Sequence, residues 1–224
     1  MEINITHLYP DLLNLYGDKG NISTLVKRLE WRGIKVNVTN VTDEDFSLAD
    51  TDILFLGGGA EREQNIVKDM LEKKRGVLCS YAESGGVMLA VCGGYEMLAQ
   101  LGIIDAVVCK GERVSDNIII SCDIDGKSFN VSGFENHTGR VEIRCGEVLG
   151  KTLYGKSESE GVIYKNVFGT YMFGPLLPKN PSLADVIITR ALKKKYTDFE
   201  ELSPLDDEFE ILAHENITKR CMEK

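Results

Sequence analysis

The sequence is poor in the residues that bind metals and has no membrane-type segment. Its 224 residues include only three histidines, and its six cysteines form no Cys-x-x-Cys pair, which argues against a zinc site. No apolar run approaches the ~20 residues that a membrane helix needs. The first residues, MEINITHLYP, lack the basic and apolar regions of a secretory signal. We therefore expect a cytoplasmic protein with reduced thiols, no metal, no cofactor and no membrane span.

Basic residues are also fewer than acidic residues. Lys and Arg number 26 against 35 Asp and Glu, for a formal net charge of -9, and this balance argues against nucleic acid or an anionic membrane as the main partner. The hydrophobic content of 43% is ordinary for a globular protein. A chain of this length can bury a sizeable core as one large α/β domain.

Apolar runs in the first half alternate with amphipathic segments. Strands are predicted at 2–8, 34–41, 52–59 and 86–92. Between the first two, NISTLVKRLEWRG has helical spacing, with Asn21 as the candidate N-cap and Gly33 as the stop. Because the strands are continuously apolar, we expect a parallel sheet covered by helices on both faces.

The second half has a different pattern. IIISCDIDGKSFNVSGF predicts an antiparallel hairpin around Asp125-Gly126. RVEIRCGEV and GVIYKNVFGTYM predict further strands, and PSLADVIITRALKKK predicts a helix that begins at a proline. We expect one domain over residues 1–195, followed by a polar helix or arm over 196–224.

A cysteine lies at the end of a buried strand, in AVCGGY, residues 90–95. An abrupt strand-to-helix turn exposes the residue at the turn on the carboxyl edge of the sheet, where open α/β folds bind ligands. The helix N-terminus favours the thiolate, so we expect the pKa of Cys92 to fall below its ordinary value of about 8.5. The amide of Gly93 is then a candidate oxyanion donor. The alternative is an inert buried cysteine before a Gly-Gly turn.

A second glycine-rich strand end, GGGAEREQ, occupies residues 57–64. It should lie on the same edge of the sheet and supply further amide donors. A phosphate-binding loop is disfavoured because G-x-x-x-x-G-K-[ST] is absent and the turn leads into Glu61 and Glu63. A flexible strand-to-helix turn is the simpler alternative.

Five motifs together resemble one family. LYPDLLNLYGDKGNI, GGGAEREQ, AVCGGYEML, GFENHTGR and GTYMFGPLLPKNP occur in the order found in class I glutamine amidotransferases of the cobyric acid synthase-like (CobB/CobQ) family, and within it in the glutaminase subunits of lipid II isoglutaminyl synthases. The resemblance implies a flavodoxin-like α/β fold: a mostly parallel central sheet with helices on both faces, and antiparallel strands in the second half.

The resemblance also implies an activity. In the family, a cysteine attacks the side-chain amide of glutamine, and ammonia passes to an ATP-dependent, Mur-ligase-like partner subunit in a heterodimer. That partner amidates the D-glutamate of the peptidoglycan precursor. Carried over to this sequence, the site residues are Cys92 as nucleophile, Gly93, Gly58 and Gly59 as oxyanion donors, Arg113 as the ligand of the glutamine α-carboxylate, and His137 as a structural or substrate-side residue.

The position of the catalytic histidine departs from the family. Its catalytic histidine lies in G-T-Y-[LM]-H-G-P, and this sequence reads GTYMFGP, with Phe173 in place of the histidine. A phenyl ring neither accepts nor donates a proton, although amide cleavage by a thiol requires both steps. Two alternatives to a glutaminase stay open: a weakened or silent relative that acts as a binding or regulatory subunit, and a cysteine hydrolase of another small amide with a different base.

Overall fold

A computed structural model of the chain describes residues 1–223, which form a nine-stranded sheet flanked by helices. The strands are β1 (Glu2–Leu8), β2 (Lys35–Val41), β3 (Ile53–Leu56), β4 (Val87–Val91), β5 (Ala106–Ile124), β6 (Lys127–Ile143), β7 (Glu147–Tyr154), β8 (Ser159–Tyr164) and β9 (Val167–Thr170). The helices are α1 (Lys19–Glu30), α2 (Glu61–Lys73), α3 (Arg75–Glu83), α4 (Gly93–Gln100), α5 (Pro181–Lys195) and α6 (Glu208–Met222), with a short 3₁₀ helix at Leu177–Lys179. None of the helices within residues 1–223 is both long and apolar enough to cross a membrane.

The sheet has a parallel half and an antiparallel half. Its strand order is β2-β1-β3-β4-β9-β8-β7-β5-β6, and the pairs from β2 to β9 are parallel while those from β9 to β6 are antiparallel. The parallel order 2-1-3-4-9 matches the flavodoxin-like order 2-1-3-4-5. The predicted α/β class, with antiparallel strands in the second half, is confirmed.

Helices cover both faces of the parallel half. Side chains alternate along each strand, so Ile53 and Phe55 of β3 face a core formed with α1 and α5. Leu54 and Leu56 face the opposite core, formed with α2, α3 and α4. All four side chains are fully buried, which explains why these strands are apolar without interruption.

The long hairpin β5–β6 bends back toward the parallel strands. Its turn is at Asp125 and Gly126, both with positive φ (54° and 75°), as predicted. RVEI is the end of β6 rather than a separate strand, because β6 continues to Ile143. Near its middle, β6 bridges to the segment after β9 through backbone bonds between Phe134 and Phe173. The hairpin therefore contributes residues to the edge where β4 and β9 end.

The prediction of Asn21 as a helix cap is wrong. Helix α1 begins two residues earlier, after Asp18, and Asn21 lies buried within it. Its Oδ1 atom accepts a hydrogen bond of 2.8 Å from the amide of Leu177. The side chain therefore joins α1 to the 3₁₀ helix, a contact that local sequence cannot reveal.

The segment after α5 packs partly on the sheet. Tyr196, Phe199 and Leu202 are half-buried against the core that contains α1 and α5, and α6 follows. The division of the chain at residue 195 stays a prediction, and its last position, residue 224, lies outside the described residues.

A buried arginine joins α1 to the end of the chain. Arg28 is 2% exposed and donates two hydrogen bonds to the carboxylate of Asp185 and two to that of Asp207, all of 2.7–2.8 Å. Arg32 adds a bond to Asp185 and another to the carbonyl of Ser203. The guanidinium of Arg28 thus holds α1, α5 and the start of α6 together.

We expect Arg28→Ala to lower the free energy of unfolding by about 2–3 kcal/mol. Removing one partner of a buried ion pair typically costs ~3–5 kcal/mol, and the loss is smaller here because both carboxylates keep some contact with water. Urea denaturation measures the difference. Lys27→Ala, which removes an exposed pair with Glu30 on the same helix, serves as the control and should change stability by less than about 0.5 kcal/mol. Equal effects of the two changes would contradict the role of Arg28.

Candidate active site

The turn from β4 to α4 places Cys92 in a strained backbone conformation. Its φ is 52° and its ψ is -118°, a region that non-glycine residues rarely adopt and that costs about 1–3 kcal/mol. Its amide donates to the carbonyl of Thr170 at 2.8 Å, and its carbonyl accepts from the amide of Tyr95 at 3.0 Å. The predicted sharp turn at the strand end is therefore present, with the cysteine at its apex.

Both glycines after Cys92 have close neighbours, and the neighbour of Gly94 is fixed backbone whereas that of Gly93 is the end of a flexible side chain. A Cβ on Gly94 would lie 2.5 Å from the carbonyl oxygen of Leu56, which is backbone and cannot move aside. A Cβ on Gly93 would collide with the carboxamide of Gln64. That carboxamide also donates to the carbonyl of Gly59 at 2.5 Å. The end of β3 and the first turn of α2 thus pack directly on the cysteine turn.

The structure brings Cys92 together with the triple-glycine turn. A Cβ on Gly58 would lie 3.1 Å from the Cβ of Cys92 and 3.6 Å from its sulfur. Of the predicted oxyanion donors, the amide of Gly58 donates to Asp18 at 2.8 Å, and the amide of Gly93 is close enough to the sulfur of Cys92 to lower the pKa of its thiol. The amide of Gly59 has no hydrogen-bond acceptor within residues 1–223. The assignment of these glycines as oxyanion donors stays a prediction.

The expected fall in the pKa of Cys92 is not found. The side chain is only 6% exposed, and burial raises the pKa of its thiol to about 12. That value includes a lowering by the hydrogen bond from Gly93 and a smaller raising by the nearby carboxylates of Asp18 and Glu96. The partial charge of a short helix is too weak to compensate for the removal of a thiolate from water.

A carboxylate that the sequence analysis missed lies beside the glycine turn. Asp18 is fully buried; its Oδ2 accepts the bond from Gly58, and its Oδ1 has no partner within residues 1–223. Burial raises the pKa of this carboxyl to about 6. The only signal in the sequence was its position in the motif LYPDLLNLYGDKGNI, which gives no chemical role.

Phe173, at the position of the expected histidine, packs in an aromatic cluster. Its ring stacks on that of Tyr16, with centroids 3.9 Å apart and planes at 23°, and meets Phe134 edge-on at 5.7 Å. Phe173 itself is 5% exposed. Tyr16 is a second residue that the sequence analysis missed, and it supplies the only titratable group of this cluster.

The other two predicted site residues, Arg113 and His137, lie on the hairpin β5–β6. Arg113 is exposed, and its guanidinium donates to Asn136 at 3.2 Å. His137 stacks on Tyr171 at 3.7 Å and bonds to the carbonyl of Gly139 and to Glu135. Burial lowers the pKa of His137, but these two hydrogen bonds outweigh it and leave the pKa raised. His137 is not among the groups that shift the pKa of Cys92.

Comparisons with known proteins agree on one family. A profile of the CobB/CobQ-like glutamine amidotransferase domain matches residues 4–181. The lipid II isoglutaminyl synthase (glutamine-hydrolyzing) subunit GatD of Staphylococcus aureus is 37% identical to this chain over an alignment of 239 positions. The alignment covers 98% of this chain and 96% of that protein. The subunit of the same name from Streptococcus pneumoniae is 37% identical over 225 residues, with 92% and 86% covered.

Among solved structures, PurLQS from Thermotoga maritima superposes with a TM-score of 0.61. The match covers 86% of this chain and 99% of that one, at 16% sequence identity. At this identity the likeness concerns the fold alone, and it agrees with the arrangement of strands described above.

We expect Asp18→Asn to change the pH dependence of stability. The folded pKa of about 6 lies above the ordinary value, so the folded state binds the proton of Asp18 more tightly than the unfolded chain does and gains stability from it at low pH. That contribution is complete below about pH 4 and is lost as pH rises through 6, a change of up to about 3 kcal/mol. Asparagine keeps an acceptor for Gly58 without the charge.

Urea denaturation of both proteins at pH 4, 5, 6 and 7.5 measures this difference. The variant should gain relative to the wild type as pH rises. Asp11→Asn, which changes an exposed carboxylate in the same loop, controls for general effects of charge. A difference between wild type and Asp18→Asn that stays constant with pH would mean that Asp18 is not a buried acid.

Proposed function

The chain belongs to the CobB/CobQ-like glutamine amidotransferase family, and we propose that it is the glutamine-hydrolysing subunit of an ATP-dependent ligase. Its sequence aligns with 96% and 86% of two subunits named for lipid II isoglutaminyl synthase. By this proposal, ammonia released here passes to a Mur-ligase-like partner that amidates a peptidoglycan precursor. Because that partner consumes ATP, we place the activity in the cytoplasm.

The observation that carries the proposal is the position of Cys92. Its sulfur lies at the apex of a turn with positive φ, 3.6 Å from the place of a Cβ on Gly58. A sulfur held there can attack the side-chain carbonyl carbon of glutamine at the carboxyl edge of the sheet. The sulfur–carbon bond forms, ammonia leaves, and water later hydrolyses the glutamyl thioester to glutamate.

The neighbouring groups then have defined roles in this proposal. The amide of Gly59 donates to the oxyanion, and those of Gly58 and Gly93 join it when substrate displaces their present acceptors. Arg113 is exposed, and within residues 1–223 its side chain bonds to Asn136 alone, so it can turn to bind the α-carboxylate of glutamine. His137 keeps a structural role, because its ring is held by Glu135, Gly139 and Tyr171.

A second candidate function is favoured by Phe173. The aromatic cluster at this position contains no imidazole, and burial holds the pKa of the Cys92 thiol at about 12. A subunit with this site could bind glutamine, or only the ligase, and regulate the partner without cleaving an amide. The two functions differ in a single measurable quantity, the release of glutamate.

We expect the wild type to release glutamate from glutamine slowly, and more rapidly with its ligase partner. Cys92→Ala should abolish the release. Phe173→His should raise it by up to about 10²–10⁴, because the imidazole restores the acid and base that the family has at this position. Glutamate is measured with and without the partner.

Cys122→Ala is the matched control. Cys122 is also buried, and burial raises the pKa of its thiol to about 12 as well, but it lies within β5 rather than at a turn. The substitution Cys122→Ala should leave the rate of glutamate release unchanged. A silent wild type that Phe173→His activates would favour the second function, and activity that survives Cys92→Ala would rule out the first.

A further inference from the structure

We propose that Tyr16 is a catalytic residue, whose hydroxyl carries the proton of Cys92 to the departing ammonia in place of the absent histidine. This inference rests on the proposed function, since it concerns the same cleavage of glutamine. It explains how a site with phenylalanine at position 173 can still perform proton transfer.

The first observation is the stacking of Tyr16 on Phe173. The two rings lie nearly parallel with centroids 3.9 Å apart, so Tyr16 covers the face of the residue that occupies the histidine position. Phe173 follows β9, whose Thr170 carbonyl accepts the amide of Cys92 at 2.8 Å. Tyr16 therefore lies beside the strand ends that hold the cysteine.

The second observation concerns the residues on either side of Tyr16. The amide of Leu15 donates to the carbonyl of Gly58 at 3.3 Å, and the carboxylate of Asp18 accepts from the amide of Gly58 at 2.8 Å. Both polar groups of one glycine are thus bound by the loop that carries Tyr16. The same glycine lies against the sulfur of Cys92, so this loop is fixed along the active-site turn.

The electrostatic surroundings agree with this placement. Burial raises the pKa of Tyr16, negative charge on Cys92 or Asp18 would raise it further, and Arg113 lowers it. The phenol is therefore neutral at pH 7 and able to donate. Besides the amide of Gly93, the groups that act on the Cys92 thiol are Asp18 and Glu96.

The proposed step is balanced in atoms and charge. As the sulfur of Cys92 bonds to the side-chain carbonyl carbon of glutamine, the thiol proton passes to the oxygen of Tyr16. The proton of Tyr16 passes to the amide nitrogen, the carbon–nitrogen bond breaks, and neutral ammonia leaves. Tyr16 is a neutral phenol before and after the step, and no free thiolate is required.

Tyr16→Phe keeps the ring that stacks on Phe173 and removes only the hydroxyl. We expect glutamate release to fall by about 100-fold or more, with little change in KM. The wild-type rate should be nearly flat between pH 7 and 9. The residual rate of the variant should rise about tenfold per pH unit, because its thiol must first ionise. Tyr9→Phe removes a hydroxyl from the same loop, bonded to the carbonyl of Asp43, and should leave both quantities unchanged.

A second readout does not depend on turnover. A diazoketone analogue of glutamine must take up a proton before it alkylates a cysteine, whereas iodoacetamide needs no proton donor. Tyr16→Phe should therefore slow labelling of Cys92 by the diazoketone by about 100-fold and leave labelling by iodoacetamide unchanged. An equal loss with both reagents would indicate a distorted site and overturn the inference.

The outcomes separate the two proposals. If Tyr16→Phe matches the wild type in glutamate release and in diazoketone labelling, Tyr16 transfers no proton, while the glutaminase proposal stands. If the wild type is inert toward glutamine with its partner and toward the diazoketone, the glutaminase proposal fails, and the role of Tyr16 fails with it.

Discussion

The geometry of the site depends on one close backbone contact, that of Gly94 with the carbonyl of Leu56. A side chain at position 94 would lie 2.5 Å from that oxygen, so only glycine lets α4 begin directly against the end of β3. This contact forces the chain to turn at Cys92 with φ of 52° and aims the sulfur at Gly58. The strain of about 1–3 kcal/mol is offset by fully buried strands on both sides, and the fold thus fixes the thiol before any substrate arrives.

The packing that fixes the thiol also keeps it neutral. With a pKa of about 12, only about one molecule in 10⁵ holds a thiolate at pH 7. Asp18 and Glu96 contribute to this raised pKa by adding negative charge to the surroundings. Attack by a thiolate that has formed before the substrate binds is therefore a poor description of this site. A route in which the proton moves as the sulfur–carbon bond forms avoids the buried anion altogether.

Local patterns predicted most of the fold, because strands, α5 and the Asp125–Gly126 turn depend on neighbours in sequence. The turn at Cys92 was predictable for the same reason. Asp18 and Tyr16 were not, since their roles arise from contacts with Gly58 and Phe173, far away in the chain. The pKa of Cys92 was predicted in the wrong direction because the helix end is visible in the sequence, whereas the depth of burial that outweighs it is a property of the assembled core.

Residue 173 is held by its backbone as well as by the packing of its side chain. Its amide and carbonyl both pair with those of Phe134, at 3.1 and 3.4 Å, so any residue there is presented to the same space next to Tyr16. A phenyl ring fills this space with apolar surface and carries no titratable proton, whereas an imidazole in the same place would titrate near neutral pH. Exchanging phenylalanine and histidine at position 173 leaves the fold, the glycine turns and the cysteine in place. For this reason a single side chain can separate a rapid glutaminase from a slow or silent one.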